Sequence, residues 1–196
     1  MANVYLEDIG IRMDIVEHLP YLEELAAHDA LIVELGVQYG NGSTLAFANG
    51  LRRSTASPKM MISVDIVDQM TLERNPPEDW WKFIIGNSTD QATYDQAVAY
   101  VEAVWGIGGK TIDVILLDSA HEPEHVLAEI NLWSGLADNG TIWLIHDVCL
   151  SCQDKESCDD CAGELCMAIK DFTQTNGYTF TLLSSACEGL VKLVKA

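Results

Sequence analysis

The sequence predicts a doubly wound α/β fold: a mostly parallel sheet finished by a C-terminal antiparallel hairpin. Three observations carry that prediction. Five short apolar runs, rich in Val, Ile and Leu and lacking period-two alternation, recur along the 196 residues. Strands buried on both faces have this composition. Amphipathic helical stretches separate the runs, and strand–helix alternation implies parallel strands joined by right-handed crossovers. Two further runs, Tyr178–Leu183 and Leu190–Val194, are separated only by a short turn around Glu188-Gly189, the pattern of a hairpin.

At the N-terminal end, Ile11, Ile15, Leu19, Leu22 and Leu25 fall at helical spacing with Pro20 as a break. They predict a helical lead-in within residues 1–29 that covers the sheet. The five runs are Leu31–Leu35, Met60–Val64, Phe83–Ile85, Ile112–Leu117 and Ile142–Ile145. Between them, Tyr94, Val98, Val101 and Trp105 mark one amphipathic stripe, and Val126, Ile130 and Trp133 mark another behind Pro123. No repeat, low-complexity tract or Pro/Gly/Ser linker divides the chain. It reads as a single domain over 1–196, with a Cys-rich loop insertion at 149–166.

Composition narrows the function. The formal charge is −19, which repels phosphate backbones and anionic headgroups, so nucleic acid and membrane surfaces are poor partners. A neutral or cationic small molecule, or a metal ion, suits the charge better. No apolar run approaches the roughly 20 residues of a membrane span. The first residues lack a basic segment followed by an apolar one, so the expectation is a cytoplasmic, reducing compartment.

Each buried run stops at polar residues able to bind something. The first carries Glu34 and passes into the loop Gly36-Val37-Gln38-Tyr39-Gly40-Asn41-Gly42-Ser43-Thr44. The second stops at Asp65, the third at Gly86-Asn87-Ser88, the fourth at Asp118 and the fifth at His146-Asp147. Parallel strands place all five on one edge, where ligands of doubly wound folds bind. The loop glycines, at 36, 40 and 42, depart from the dinucleotide spacing G-x-G-x-x-G and oppose NAD. An acid such as Asp65 can accept hydrogen bonds from both hydroxyls of a ribose, although a residue in that place also serves as a plain turn former. Glycine loop, ribose acid and Asn87-Ser88 together favour a nucleoside-containing ligand without a pyrophosphate.

The segments Val33–Gly40 with Ser43-Thr44, Asp65, Ile112–His121 and Gly140–Val148 resemble class I S-adenosylmethionine-dependent methyltransferases. Within that class they are most similar to small-molecule O-methyltransferases acting on antibiotic sugars and related natural products. The D-x-x-H of Asp118 and His121, combined with His146-Asp147, is the most branch-specific part. The resemblance covers roughly residues 20 to 148 and implies a Rossmann-like fold. It further implies that S-adenosyl-L-methionine is held by Glu34, Gly36, Gly40, Ser43 and Thr44 at its methionine end, by Asp65 at the ribose and by Asn87 and Ser88 near the adenine, with Asp118 close by. The acids at Asp118 and Asp147 would bind a divalent cation, and His121 would act as general base. Two features depart from the family pattern: Gly40–Ser43 is about one residue longer, and the Cys-rich segment is additional.

The chemistry agrees with these roles. Methyl transfer from a sulfonium is an in-line displacement that needs an aligned acceptor and a nucleophilic oxygen. Asp118 and Asp147, with His146 counted beside them, are the candidate ligands of Mg²⁺ or Mn²⁺, and Asp118 and His121 are the candidate catalytic residues. The plainer alternative has Asp118 capping a helix and His121 bonding a loop carbonyl. His18 and His125 read as surface residues on polar helix faces. Trp80-Trp81 read either as a wall of the site or as packing.

Five of the six cysteines lie between Cys149 and Cys166. Cys149, Cys152, Cys158 and Cys161 form two C-x-x-C pairs, enough for a structural Zn²⁺, with disulfides and unligated thiols as the other readings. Cys166 and Cys187 read as ordinary buried cysteines. The enzyme expected is thus an O-methyltransferase acting on a small-molecule acceptor. An NAD-dependent oxidoreductase and a non-catalytic cofactor- or metal-binding module are the alternatives. Oligomeric state is not legible.

Overall fold

A computed structural model describes residues 15–68, 78–149, 163–185 and 188–195. Its strands are β1 (Leu31–Leu35), β2 (Met60–Asp65), β3 (Trp81–Ile85), β4 (Val114–Leu117), β5 (Ile142–His146), β6 (Tyr178–Ser184) and β7 (Leu190–Lys195). They form one seven-stranded sheet in the order β3-β2-β1-β4-β5-β7-β6. β1 to β5 are mutually parallel, whereas β7 runs antiparallel to both β5 and β6. The seven predicted runs all become strands.

Among the described residues five α-helices cover the sheet: α1 (Leu19–Ala26), α2 (Ser43–Arg53), α3 (Gln91–Trp105), α4 (Pro123–Trp133) and α5 (Glu164–Asn176). The missing period-two pattern has its explanation here, because both faces of the central strands are buried. Leu31, Val33 and Leu35 pack with α3, α4 and α5, while Ile32 packs with α1 and α2. Burial of this kind contributes about 25 cal/mol per Å² of apolar surface. Pro20 starts α1 instead of breaking it, since an N-terminal turn needs no donor at that position. α1 and α2 approach so closely that a Cβ on Gly50 would collide with the Glu23 carbonyl. On α3 the buried residues are Thr93, Ala97 and Val101, so the predicted stripe is rotated toward smaller side chains. α5 has no counterpart in the sequence reading. Its buried positions are Leu165, Cys166, Ile169 and Thr173, and two of those four are not strongly apolar.

With β1 central, the chain leaves it first toward β2 and β3 and later toward β4 and β5. The strand order therefore reverses between β1 and β4, the switch point at which such sheets bind ligands. No helix among the described residues is long and apolar enough to cross a membrane.

Candidate active site

A cleft of about 410 Å³ opens at the carboxyl edge of the sheet, lined by the loops that follow all five parallel strands. That volume lies within the usual range for a small-molecule site. The loop after β1 turns sharply at Gly36, whose φ of 93° only glycine adopts readily. A Cβ there would also strike the Asp118 carbonyl, so the loops after β1 and β4 touch backbone to backbone.

Asp65 ends β2 at the cleft, and its carboxylate is already engaged. Val37 and Gln38 donate their amides to Oδ2 at 2.9 and 2.8 Å, and Val67 donates to Oδ1 at 2.9 Å. Asp65 thus pins the glycine loop, with lone pairs remaining for further donors. Gly36, Ser43, Asn87, Ser88 and Asp118 line the cleft as anticipated. Glu34, Gly40 and Thr44 do not. Glu34 is fully buried on the α1–α2 face, where Oε1 accepts Ser43 Oγ at 2.5 Å and Oε2 accepts Thr44 Oγ1 at 2.8 Å and Ser63 Oγ at 3.0 Å. Burial pushes its carboxyl up to about 7 against the lowering effect of those hydroxyls. Glu34 and Thr44 therefore hold the loop from behind.

At the ends of β4 and β5, Asp118, His121 and Asp147 each offer a ligand atom, and these atoms all lie within 4.8 Å of one another. His121 Nε2 is 3.0 Å from Asp147 Oδ2. Asp147 has a φ of 57°, an uncommon conformation for a residue with a side chain and one concentrated at functional sites. His146 stands beside both acids, as the sequence suggests, although the group of converging ligand atoms is completed by His121. The buried ring of His146 sets Nδ1 3.0 Å from Asp118 Oδ1 and 3.1 Å from Asp147 Oδ1. It bridges the two carboxylates. Behind it stands His18, edge-on at 5.4 Å between ring centroids. His18 is buried, not on the surface.

His125 also departs from expectation, since it lines the cleft. Its Nε2 lies 3.2 Å from Ser88 Oγ and 3.3 Å from Oε1 of Glu129, a buried α4 residue that the sequence reading passed over. A His–Glu pair at i,i+4 looks like an ordinary solvated ion pair in sequence. Trp80 and Trp81 pack rather than wall the cleft: Trp81 is in the core and donates Nε1 to Ser63 Oγ at 3.0 Å.

Of the zinc candidates, Cys152, Cys158 and Cys161 lie outside the described residues, as does Cys187. Cys149 is buried in the core, its amide donating to the Glu188 carbonyl at 2.7 Å and its sulfur filling the space beside Gly189. Cys166 is not an ordinary buried cysteine, because it is disulfide-bonded.

Sheet order, glycine loop and the acids on the strand ends define an α/β fold of the methyltransferase type. Comparison with known proteins makes the assignment specific: residues 9–186 match the family described as Rhamnosyl O-methyltransferase/CmcI, and the chain belongs to that family. It is 31% identical over 118 residues to a curated relative, the rhamnosyl O-methyltransferase of Mycobacterium tuberculosis (strain H37Rv). That match takes in 60% of this chain and 45% of the relative, so the chain spans less than half of that protein. Among solved structures, the MycE methyltransferase from the mycinamycin biosynthetic pathway, in complex with Mg and SAH, superposes with a TM-score of 0.60 at 15% identity, over 92% of this chain and 49% of that one. The O-methyltransferase from Bacillus cereus in complex with SAH gives 0.58 at 14% identity, over 97% and 84%. These likenesses show the fold.

Proposed function

We propose that the protein transfers a methyl group from S-adenosyl-L-methionine to a hydroxyl of a small molecule. The observation that carries this reading is one cleft in which the Asp65-pinned glycine loop lies on one side and the Asp118/His121/Asp147 group on the other. Asp65, Asp118 and Asp147 line it, with no Lys or Arg among the described lining residues. Such a wall favours a cationic sulfonium and disfavours a pyrophosphate, which speaks against the NAD alternative. The glycine loop and Ser43 take the methionine end, Asp65 the ribose hydroxyls, and Asn87 and Ser88 the base.

His121 accepts the hydroxyl proton as the new O–CH₃ bond forms and the S–CH₃ bond breaks, leaving a neutral thioether. Asp147, at its Nε2, orients the ring and stabilises the imidazolium. The oxygen donors of Asp118 and Asp147 suit a hard divalent cation such as Mg²⁺, and the named complex of MycE supports considering one here. A cation so held would lower the pKa of a hydroxyl bound to it. A sugar hydroxyl is the acceptor to try first, on the strength of the relatives' names.

A ligand thermal-shift comparison tests the reading. S-adenosylmethionine and S-adenosylhomocysteine at about 100 times Kd should each stabilise the fold by about 2.7 kcal/mol. A shift with NAD and none with S-adenosylhomocysteine would overturn the assignment.

A further inference from the structure

On the α3–α5 side of the sheet, four polar side chains converge just behind the cleft wall. Ser88, on the loop after β3, donates its hydroxyl to Oε1 of Glu129 at 2.5 Å. Ser119, on the loop after β4, donates to the same oxygen at 2.5 Å. His125 Nε2 stands beside both Oε1 and Ser88 Oγ, and Trp133, one turn beyond Glu129, donates its indole N–H to the Ser88 carbonyl at 2.9 Å. Ser88, Ser119 and His125 line the cleft, whereas Glu129 is wholly buried and has no part in the proton-accepting group. Oε2 of Glu129 is buried without a hydrogen-bond partner among the described residues, so the carboxyl's polar contacts all fall on Oε1.

A serine hydroxyl has one proton and two lone pairs. Oε1 accepts from both serines, and it does so whether Glu129 is ionised or carries a proton on Oε2. The two hydroxyl protons are thereby committed away from the cleft. What the serines can still offer a ligand is oxygen lone pairs, and in the tautomer with a proton on Nε2 His125 takes one of those at Ser88. A corner built this way is satisfied by a ligand N–H and left unpaired by a ligand carbonyl, and leaving a buried polar group unpaired is what makes hydrogen-bonding sites selective.

We propose that Glu129 is a positioning residue that sets the base preference of the cleft: by holding the protons of Ser88 and Ser119, it makes the β3–β4 corner select a nucleobase bearing an exocyclic amino group over its oxo counterpart. The inference rests on the cofactor reading above and adds the residue that enforces it. It is tested by calorimetry with S-adenosylhomocysteine and S-inosylhomocysteine, which differ in that amino-to-oxo exchange and in the N1–H that comes with the oxo form: two serine oxygens can each accept one of the two amino protons, whereas the oxo base offers them one N–H and sets its carbonyl oxygen against the other. The wild type should prefer the amino ligand by about tenfold or more. In Glu129→Ala the hydroxyls rotate freely and can donate to an oxo group, so the preference should shrink to within about threefold. Glu129→Gln keeps an acceptor oxygen and should restore most of it. A residue that merely supported the fold would weaken both ligands alike and leave the ratio unchanged, which would overturn the proposal. Should Glu129→Ala fail to fold, Ser88→Ala/Ser119→Ala removes the same acceptors. An intact preference in that double variant would overturn the proposal equally. Wild type that binds both ligands alike would refute the role of Glu129 while the cofactor reading stands. Wild type that binds neither would refute both.

Discussion

Glu34 and Glu129 are both wholly buried, and they lie on opposite faces of the same sheet. Each gathers serine or threonine hydroxyls, Glu129 from the loops after β3 and β4 and Glu34 from the start of α2 and from β2, and they do so differently. Glu34 distributes three neutral hydroxyls over both of its oxygens and has no basic neighbour within hydrogen-bonding distance. Glu129 collects its donors on one oxygen and has His125 beside it. Burial raises both carboxyls, but only at Glu129 does a histidine act in the opposite direction. A buried carboxylate surrounded by hydroxyls alone tends to keep its proton, whereas one beside an imidazole can share it. The first arrangement supports a loop, and the second adds a titratable partner that reaches the cleft.

The contrast can be broken most severely by truncation. Glu34→Ala leaves three buried hydroxyls without their acceptor and opens a cavity, and should cost about 3–4 kcal/mol in urea unfolding. Glu129→Ala strands two serine hydroxyls and should cost about 2–3 kcal/mol, so a reversed order would show that the two clusters are not comparable supports.

Next in size is a difference in pH dependence. The folded-state pKa of Glu34, about 7, lies above the ordinary 4.5, so the folded protein binds this proton more tightly than the unfolded chain. Its contribution is fully present below about pH 4.5 and is lost as pH rises through about 7. Glu34→Gln lacks this titration. Between pH 5 and pH 8 the variant should therefore gain on the order of 3 kcal/mol relative to wild type in paired urea titrations. A constant difference across that range would mean that Glu34 is already ionised at pH 5.

Asp65→Ala should weaken S-adenosylhomocysteine by roughly 1–3 kcal/mol in calorimetry, both by removing a ribose acceptor and by releasing the amides of Val37 and Gln38. Affinity equal to wild type would reduce Asp65 to a turn residue. The smallest effect is expected for Trp81→Phe, which removes only the indole donor to Ser63. It should cost about 1 kcal/mol of stability and leave S-adenosylhomocysteine affinity unaltered, because Ser63 serves Glu34 and not the cleft.

Most of the fold was legible because burial on both faces turns strands into uninterrupted Val/Ile/Leu runs, and β1 occupies the predicted residues Leu31–Leu35. α5 was not, since a core position filled by Cys166 or Thr173 carries little hydropathic signal. The five strand ends located the cleft, and Asp65, Asn87, Ser88, Asp118, His121 and Asp147 all reach it. Which way a side chain faces was harder to read. Glu34 sits in a motif beside the cleft but points to the α1–α2 face, because alternate residues of a strand point to opposite sides. His125 and Glu129 depend on how α4 is rotated beneath two loops distant in sequence, and nothing in their spacing distinguishes that from a solvent-facing pair. His146 was found, but its part as a bridge between two acids follows from geometry alone.

The cleft draws one loop from each of five strands, from Gly36 after β1 to Asp147 after β5, and β1 stands at the middle of the sheet. Those loops become neighbours only after four crossovers have closed and β4 has come to lie against β1. Contacts between residues so distant along the chain are late to form, because loop-closure entropy must be met before they stabilise anything. Ligand competence should thus be among the last properties to return on refolding, after helical signal and compactness. A collapsed chain with its helices formed would still have five loops and no site.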